Sequence, residues 1–146
     1  MYHYRIVAII NYFEGGEKMN TINIQSVNST EKYIIGNYDI EVLTLPRLNI
    51  NDIDISQSHT TTVRIPDPGM VTLMMEATGF GGLYVEKDNK LEWVVNLDTE
   101  SDKQTFTLLP GNYHVIWRGK NVKRSMYSVH KTFKITSGIS IPIYVK

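Results

Sequence analysis

"PGNYHVIW", residues Pro110–Trp117, has an echo upstream in "IGNYDIEV", residues Ile35–Val42. In each stretch Gly-Asn-Tyr leads a run of alternating character: Tyr38, Ile40 and Val42 in one, Tyr113, Val115 and Trp117 in the other. A period of two is the mark of a strand with one buried face. The likeness continues past the strand. "IDISQSHTTTVRI" (Ile53–Ile65) aligns without gaps to "FKITSGISIPIYV" (Phe133–Val145). Ile53 meets Phe133, Ile55 meets Ile135, Val63 meets Ile143 and Ile65 meets Val145, with mostly polar residues between. Ser58 meets Gly138, where a hairpin turn is expected. A slip of one residue would exchange the two faces, so apolar positions kept in phase argue for structural repetition.

The rest of the chain reads the same way. Short runs of β-branched and aromatic residues are separated by Gly, Pro, Asn, Asp and Ser, and helical periodicity is nearly absent. Roughly a dozen short strands fit, which makes the fold all-β. Ile139, Ile141, Ile143 and Val145 alternate with Ser140, Pro142, Tyr144 and Lys146. Pro142 has no N–H to donate, which assigns that strand to a sheet edge. The N-terminal apolar run Ile6–Ile10 is a first strand: it is too short for a signal peptide and lacks a small-residue cleavage site. "IPDPG", Ile65–Gly69, removes two donors and breaks the ladder. The expected architecture is two tandem small β-sandwich repeats of roughly six or seven strands each, residues 1–66 and 67–146. Units so small are near the limit for folding alone.

Composition narrows the function. The chain has 146 residues, of which 42% are hydrophobic, enough for a packed core. Fifteen basic residues balance fifteen acidic ones, and a nucleic-acid binder ordinarily carries a basic surplus to displace counterions. No polybasic or amphipathic helical stretch points to a membrane surface, and no apolar run approaches the ~18 residues needed for a spanning helix. The chain is read as a soluble one with neither a signal peptide nor a transmembrane segment. Cysteine is absent, which removes disulfides and thiolate chemistry and leaves the compartment open.

Candidate chemistry is sparse. His3, His59, His114 and His130 are scattered, with no pair at metal-ligand spacing, and His114 is expected on the solvent side of its strand. No Gly-x-Ser-x-Gly elbow supports a hydrolytic triad. "GFGG", Gly79–Gly82, lacks the strand-then-helix context of a phosphate loop and is expected to form a bend or bulge. Lys120, Lys123 and Arg124 mark a solvated basic loop. Tyr84 and Trp93 are expected to fill the core, since aromatics bury large areas. The alternative is that Phe80, Tyr84 and Trp93 lie exposed and stack on sugar rings.

"LLPGNYHVIW … TFKITSGISIPIYV" resembles the closing half of transthyretin-like β-sandwich repeats, among them carboxypeptidase-regulatory-like and PEGA-type modules. Pro110, Gly111, Tyr113 and Gly138 match their pattern; the first copy departs from it, with Ile35 for the proline and Ser58 for the glycine. "EKYIIGNYDIEVLTLPR", Glu31–Arg47, resembles C-terminal accessory segments beside von Willebrand factor A domains in Bacteroidota proteins. These resemblances imply an accessory or adhesive role at the cell envelope or outside the cell, without catalysis. Asp54, Ser56 and Ser58 spell the metal-binding string of von Willebrand factor A domains, but "PRLNIND" before them is no buried parallel strand. A divalent cation wants six or more oxygens, so a polar face entering a hairpin is the simpler reading.

The sequence thus leads to a non-catalytic β-sandwich accessory module, without cofactor or metal, that spaces or docks a neighbouring domain or a protein partner. A carbohydrate-binding module using Phe80, Tyr84 and Trp93 is the alternative, and a small hydrolase stands well behind both. Neither nucleic acid nor membrane insertion is expected, and the oligomeric state is left open.

Overall fold

Strand-forming composition and in-phase alternation produce eleven strands and no α-helix among the described residues. The computed structural model describes residues 7–14, 17–122 and 127–146, with side chains from Asn23 onward. The fold is all-β, and the chain divides into two compact units, Tyr4–Ile65 and Pro66–Lys146.

In the N-terminal unit, β1 (Val7–Glu14), β2 (Glu17–Ser26), β3 (Gly36–Val42) and β4 (Leu48–Ile55) form one antiparallel sheet in the order β2-β1-β3-β4. Tyr38 and Val42 are buried along β3, while Asn37 just before Tyr38 is exposed. The connector between β2 and β3 is held by side chains. Tyr33 donates to Gln25 Oε1 at 2.7 Å, and Asn23 Nδ2 donates to Tyr33 Oη at 2.9 Å and to Glu31. Partial burial raises the ionisation of the Tyr33 phenol above its ordinary range, with the Asn23 hydrogen bond opposing it.

The C-terminal unit contains β5 (Gly69–Met75), β6 (Gly79–Lys87), β7 (Lys90–Asn96), β8 (Lys103–Leu108), β9 (Gly111–Gly119), β10 (Val129–Ile135) and β11 (Ser140–Val145). They make two sheets, β10-β9-β6-β7 and β11-β5-β8, in which only β11 and β5 pair in parallel. β11, which carries Pro142, lies at a sheet edge. Val71, Leu73, Leu108 and Val145 from one sheet and Leu83, Tyr113 and Val115 from the other are all 0% exposed. This single core between two sheets is the arrangement of a β-sandwich. Each fully buried aliphatic side chain there contributes about 1.5–3 kcal/mol. Tyr113 stacks on Phe133 with centroids 5.8 Å apart and donates to Leu109 O at 2.6 Å.

The aligned stretches of sequence share local features of structure. Gly36 pairs with Ile55 and Tyr38 with Ile53; at the aligned positions Gly111 pairs with Ile135 and Tyr113 with Phe133. Tyr38 donates to Ile34 O and Tyr113 to Leu109 O, in both cases four residues back. Such a tyrosine corner fixes the entry of the chain into its strand. Ser58 and Gly138 both take positive φ, 60° and 73°. The four-stranded sheets also share an order, β2-β1-β3-β4 matching β7-β6-β9-β10.

Two expectations are corrected. Thr61–Ile65 forms no ladder among the described residues, although the aligned residues belong to β11. β11 is a strand because β5 lies beside it, and no described strand takes that place in the N-terminal unit. A sandwich is therefore present in Pro66–Lys146, whereas the described residues of Tyr4–Ile65 form one sheet. "GFGG" is not a bend: it opens β6. Gly79 and Gly81 point inward, where a Cβ on Gly79 would collide with Arg118 O and lie 2.5 Å from Trp117 Nε1. Gly79 makes room for the Trp117 ring, and Gly81 for the Ile116 carbonyl and the Leu97 side chain.

Candidate functional site

The alternation that directs Leu83 and Val115 into the core turns their neighbours outward on the sheet β10-β9-β6-β7. Phe80, Gly82, Tyr84 and Glu86 lie on the outer face of β6; His114, Ile116 and Arg118 lie on that of β9. Cross-strand partners share a face: Phe80 is opposite Arg118, Gly82 opposite Ile116 and Tyr84 opposite His114. On the other side of β6, Tyr84 faces Trp93 and Gly82 faces Asn96. The three aromatic residues singled out from sequence thus share one surface.

Trp93 is 60% exposed and Phe80 49%, so core filling does not apply to Trp93; Tyr84 is half-buried on the same outer face. The cause is a register shift in the β6–β7 pairing between Leu83 and Tyr84. One extra residue, Val94, turns into the core and leaves Trp93 on the outside. The Trp93 N–H donates to Asn96 Oδ1 at 2.8 Å, so the indole keeps its polar edge satisfied while presenting its face. The Tyr84 ring lies over Gly82, where a Cβ would meet it at 3.4 Å. Trp117 fills the inner face instead, and its buried Nε1 has no partner among the described residues.

A polar relay adjoins this surface. His114 Nδ1 is 2.7 Å from His130 Nε2, and His114 Nε2 is 3.3 Å from Glu86 Oε2. The histidines are sixteen residues apart in the chain and meet only because β9 and β10 pair. That is why spacing along the sequence does not reveal them. Glu86 and His130 approach opposite nitrogens of one imidazole, so the trio does not converge on one ion. Among the described residues no group of three His, Asp or Glu side chains is gathered for a metal. The cross-strand neighbours of His114 are Tyr84 on β6 and Thr132 on β10.

The remaining candidates sit elsewhere. Asp54 lies exposed one residue before the end of β4, its carbonyl accepting from Thr61 Oγ1 at 3.1 Å, and Ser56 and Ser58 are exposed at the following turn. His59 Nδ1 lies 2.7 Å from Gln57 O. His3, Lys123 and Arg124 lie outside the described residues. Lys120 Nζ is 2.6 Å from Glu100 Oε1, and this hydrogen bond, joined by the lysine charge, holds the exposed Glu100 carboxyl below its ordinary range. No helix among the described residues is long and apolar enough to cross a membrane. Comparison of the chain with protein-family models, curated proteins and solved structures returns no match.

Proposed function

We propose that the protein is a non-catalytic accessory module, built from two versions of one sheet-forming unit, that docks a protein partner or neighbouring domain. Its resemblance to transthyretin-like and PEGA-type repeats is the basis for assigning it to the cell envelope or the extracellular space. The observation that carries the docking role is the shared outer face of Phe80, Tyr84 and Trp93. Tyr and Trp supply large contact area with little rotamer entropy to lose, which is why they dominate binding surfaces. Here they stand on paired strands over a closed core, and a rigid support lowers the ordering cost of association.

A second reading, carbohydrate binding, is favoured by one feature of the same face. Flat rings lie among hydrogen-bonding groups, with Asn96 beside Trp93, Arg118 opposite Phe80 and His114 opposite Tyr84. Affinity electrophoresis through gels containing soluble polysaccharides, run beside affinity capture of proteins, separates the two. In either format Trp93→Ala is expected to weaken binding by about 2 kcal/mol, roughly thirtyfold, while the melting temperature stays unchanged. Retardation by a polysaccharide that vanishes in Trp93→Ala selects the sugar reading. Binding of either kind that persists in a Trp93→Ala/Tyr84→Ala double variant removes this face from the function.

A further inference from the structure

Imidazole is the commonest side chain for holding late first-row metals, and strand pairing brings two of them nitrogen to nitrogen on the outer face of β9 and β10. His114 stands opposite Thr132 and His130 opposite Ile116, a diagonal pair whose side chains leave the sheet on the same side. His114 Nδ1 lies 2.7 Å from His130 Nε2, with the ring centroids 5.0 Å apart. The other nitrogen of His114 lies 3.3 Å from Glu86 Oε2. A carboxylate only accepts, so Glu86 holds the His114 proton on Nε2 and leaves the Nδ1 lone pair toward His130. A carboxylate behind a ligating imidazole is the usual outer support of a metal site, because it fixes the tautomer and the ring orientation. His114 is also the packed member, with its side chain 15% exposed, whereas His130 is exposed. One ring is set and the other has room to turn.

We propose that His114 and His130 form a two-imidazole site for a borderline divalent cation of the zinc class, bound through His114 Nδ1 and His130 Nε2. Metal–nitrogen bonds of about 2.0–2.1 Å, meeting at angles from square to tetrahedral, place two such nitrogens roughly 2.9–3.4 Å apart. The observed 2.7 Å needs only a small opening to reach the near end of that range, and a turn of the exposed His130 ring aims both lone pairs at one ion. His130 then carries its proton on Nδ1, so two neutral imidazoles supply the lone pairs and no proton has to leave. Glu86 stays behind His114 as its outer partner and does not enter the coordination. Two protein ligands leave the remaining positions to water or to a donor atom of a bound molecule. Arg118 and Lys134 stand one place further along the face on either side of the pair, and their charge keeps the affinity moderate. The site does not depend on the docking reading: it needs only the pairing of β9 with β10 and with β6.

The test titrates Zn²⁺ into the full chain carrying His3→Ala and His59→Ala, which leaves His114 and His130 as its histidines. Their ring resonances are followed by NMR at about pH 7.5, beside calorimetry. Both rings are expected to shift together along one binding curve, and that readout does not depend on any change at the site itself. Adding His130→Ala is expected to weaken Zn²⁺ binding by roughly tenfold or more, with the metal-free melting temperature unchanged because the side chain is exposed. Separate curves for the two rings, no movement of either at millimolar Zn²⁺, or undiminished binding after His130→Ala each overturns the inference.

Discussion

Tyr113→Ala is expected to remove most of the stability of the Pro66–Lys146 unit, with a loss of about 3–5 kcal/mol in urea or thermal unfolding. Against a total of about 5–15 kcal/mol for an ordinary domain, that leaves a small unit largely unfolded on warming. The size follows from three losses at one position. The ring is completely buried, it stacks on Phe133, and its hydroxyl donates to Leu109 O at 2.6 Å. Tyr113→Phe keeps the first two and strands the Leu109 carbonyl, which costs about 1–2 kcal/mol. Tyr38→Phe in the N-terminal unit is expected to cost a similar amount, because Tyr38 donates to Ile34 O in the same way. A neutral Tyr113→Ala would mean that the inter-sheet core lies elsewhere.

Gly79→Val carries the second large effect, a destabilisation of about 1–3 kcal/mol with valine at the upper end. Valine favours strands, so propensity alone predicts the opposite sign. Packing decides: any Cβ at Gly79 meets Arg118 O and the indole of Trp117, backbone and buried ring, neither of which yields cheaply. Gly82→Ala makes the internal comparison. Its Cβ would make ordinary contacts, at 3.4 Å to the Tyr84 ring and 3.4 Å to Val95 O, so stability should stay within about 0.5 kcal/mol. Paired melting curves of the two variants check the assignment of inner and outer faces along β6.

Much of the fold is legible in the sequence because strand alternation is local. The phase of Tyr38, Ile53 and Ile55 against Tyr113, Phe133 and Ile135 is written in the residues, and the register of both hairpins follows it. What lies beyond local pattern was less readable. Val63 and Ile65 alternate correctly, yet a strand needs a neighbour, and alternation does not say whether one is present. The exposed aromatic face is hidden from local reading by a single residue. Val94 shifts the parity of β7, so Trp93 faces outward where aromatic bulk alone points to the core. The first glycine of "GFGG", Gly79, serves a ring more than thirty residues later in the chain, at Trp117, a relation no local rule for glycine captures. The His114–His130 contact was invisible for the same reason: it belongs to cross-strand pairing, not to spacing.

The docking role depends on an exposed Trp93 beside a buried Trp117, and the two are the chain's only tryptophans. Iodide quenching of tryptophan fluorescence, in the unaltered chain and in Trp93→Phe, reads this directly. The account predicts a red-shifted, readily quenched component that disappears in Trp93→Phe, leaving a shielded, blue-shifted emission from Trp117. A shielded Trp93, with no accessible component lost on its replacement, would contradict the outer-face platform and the function built on it.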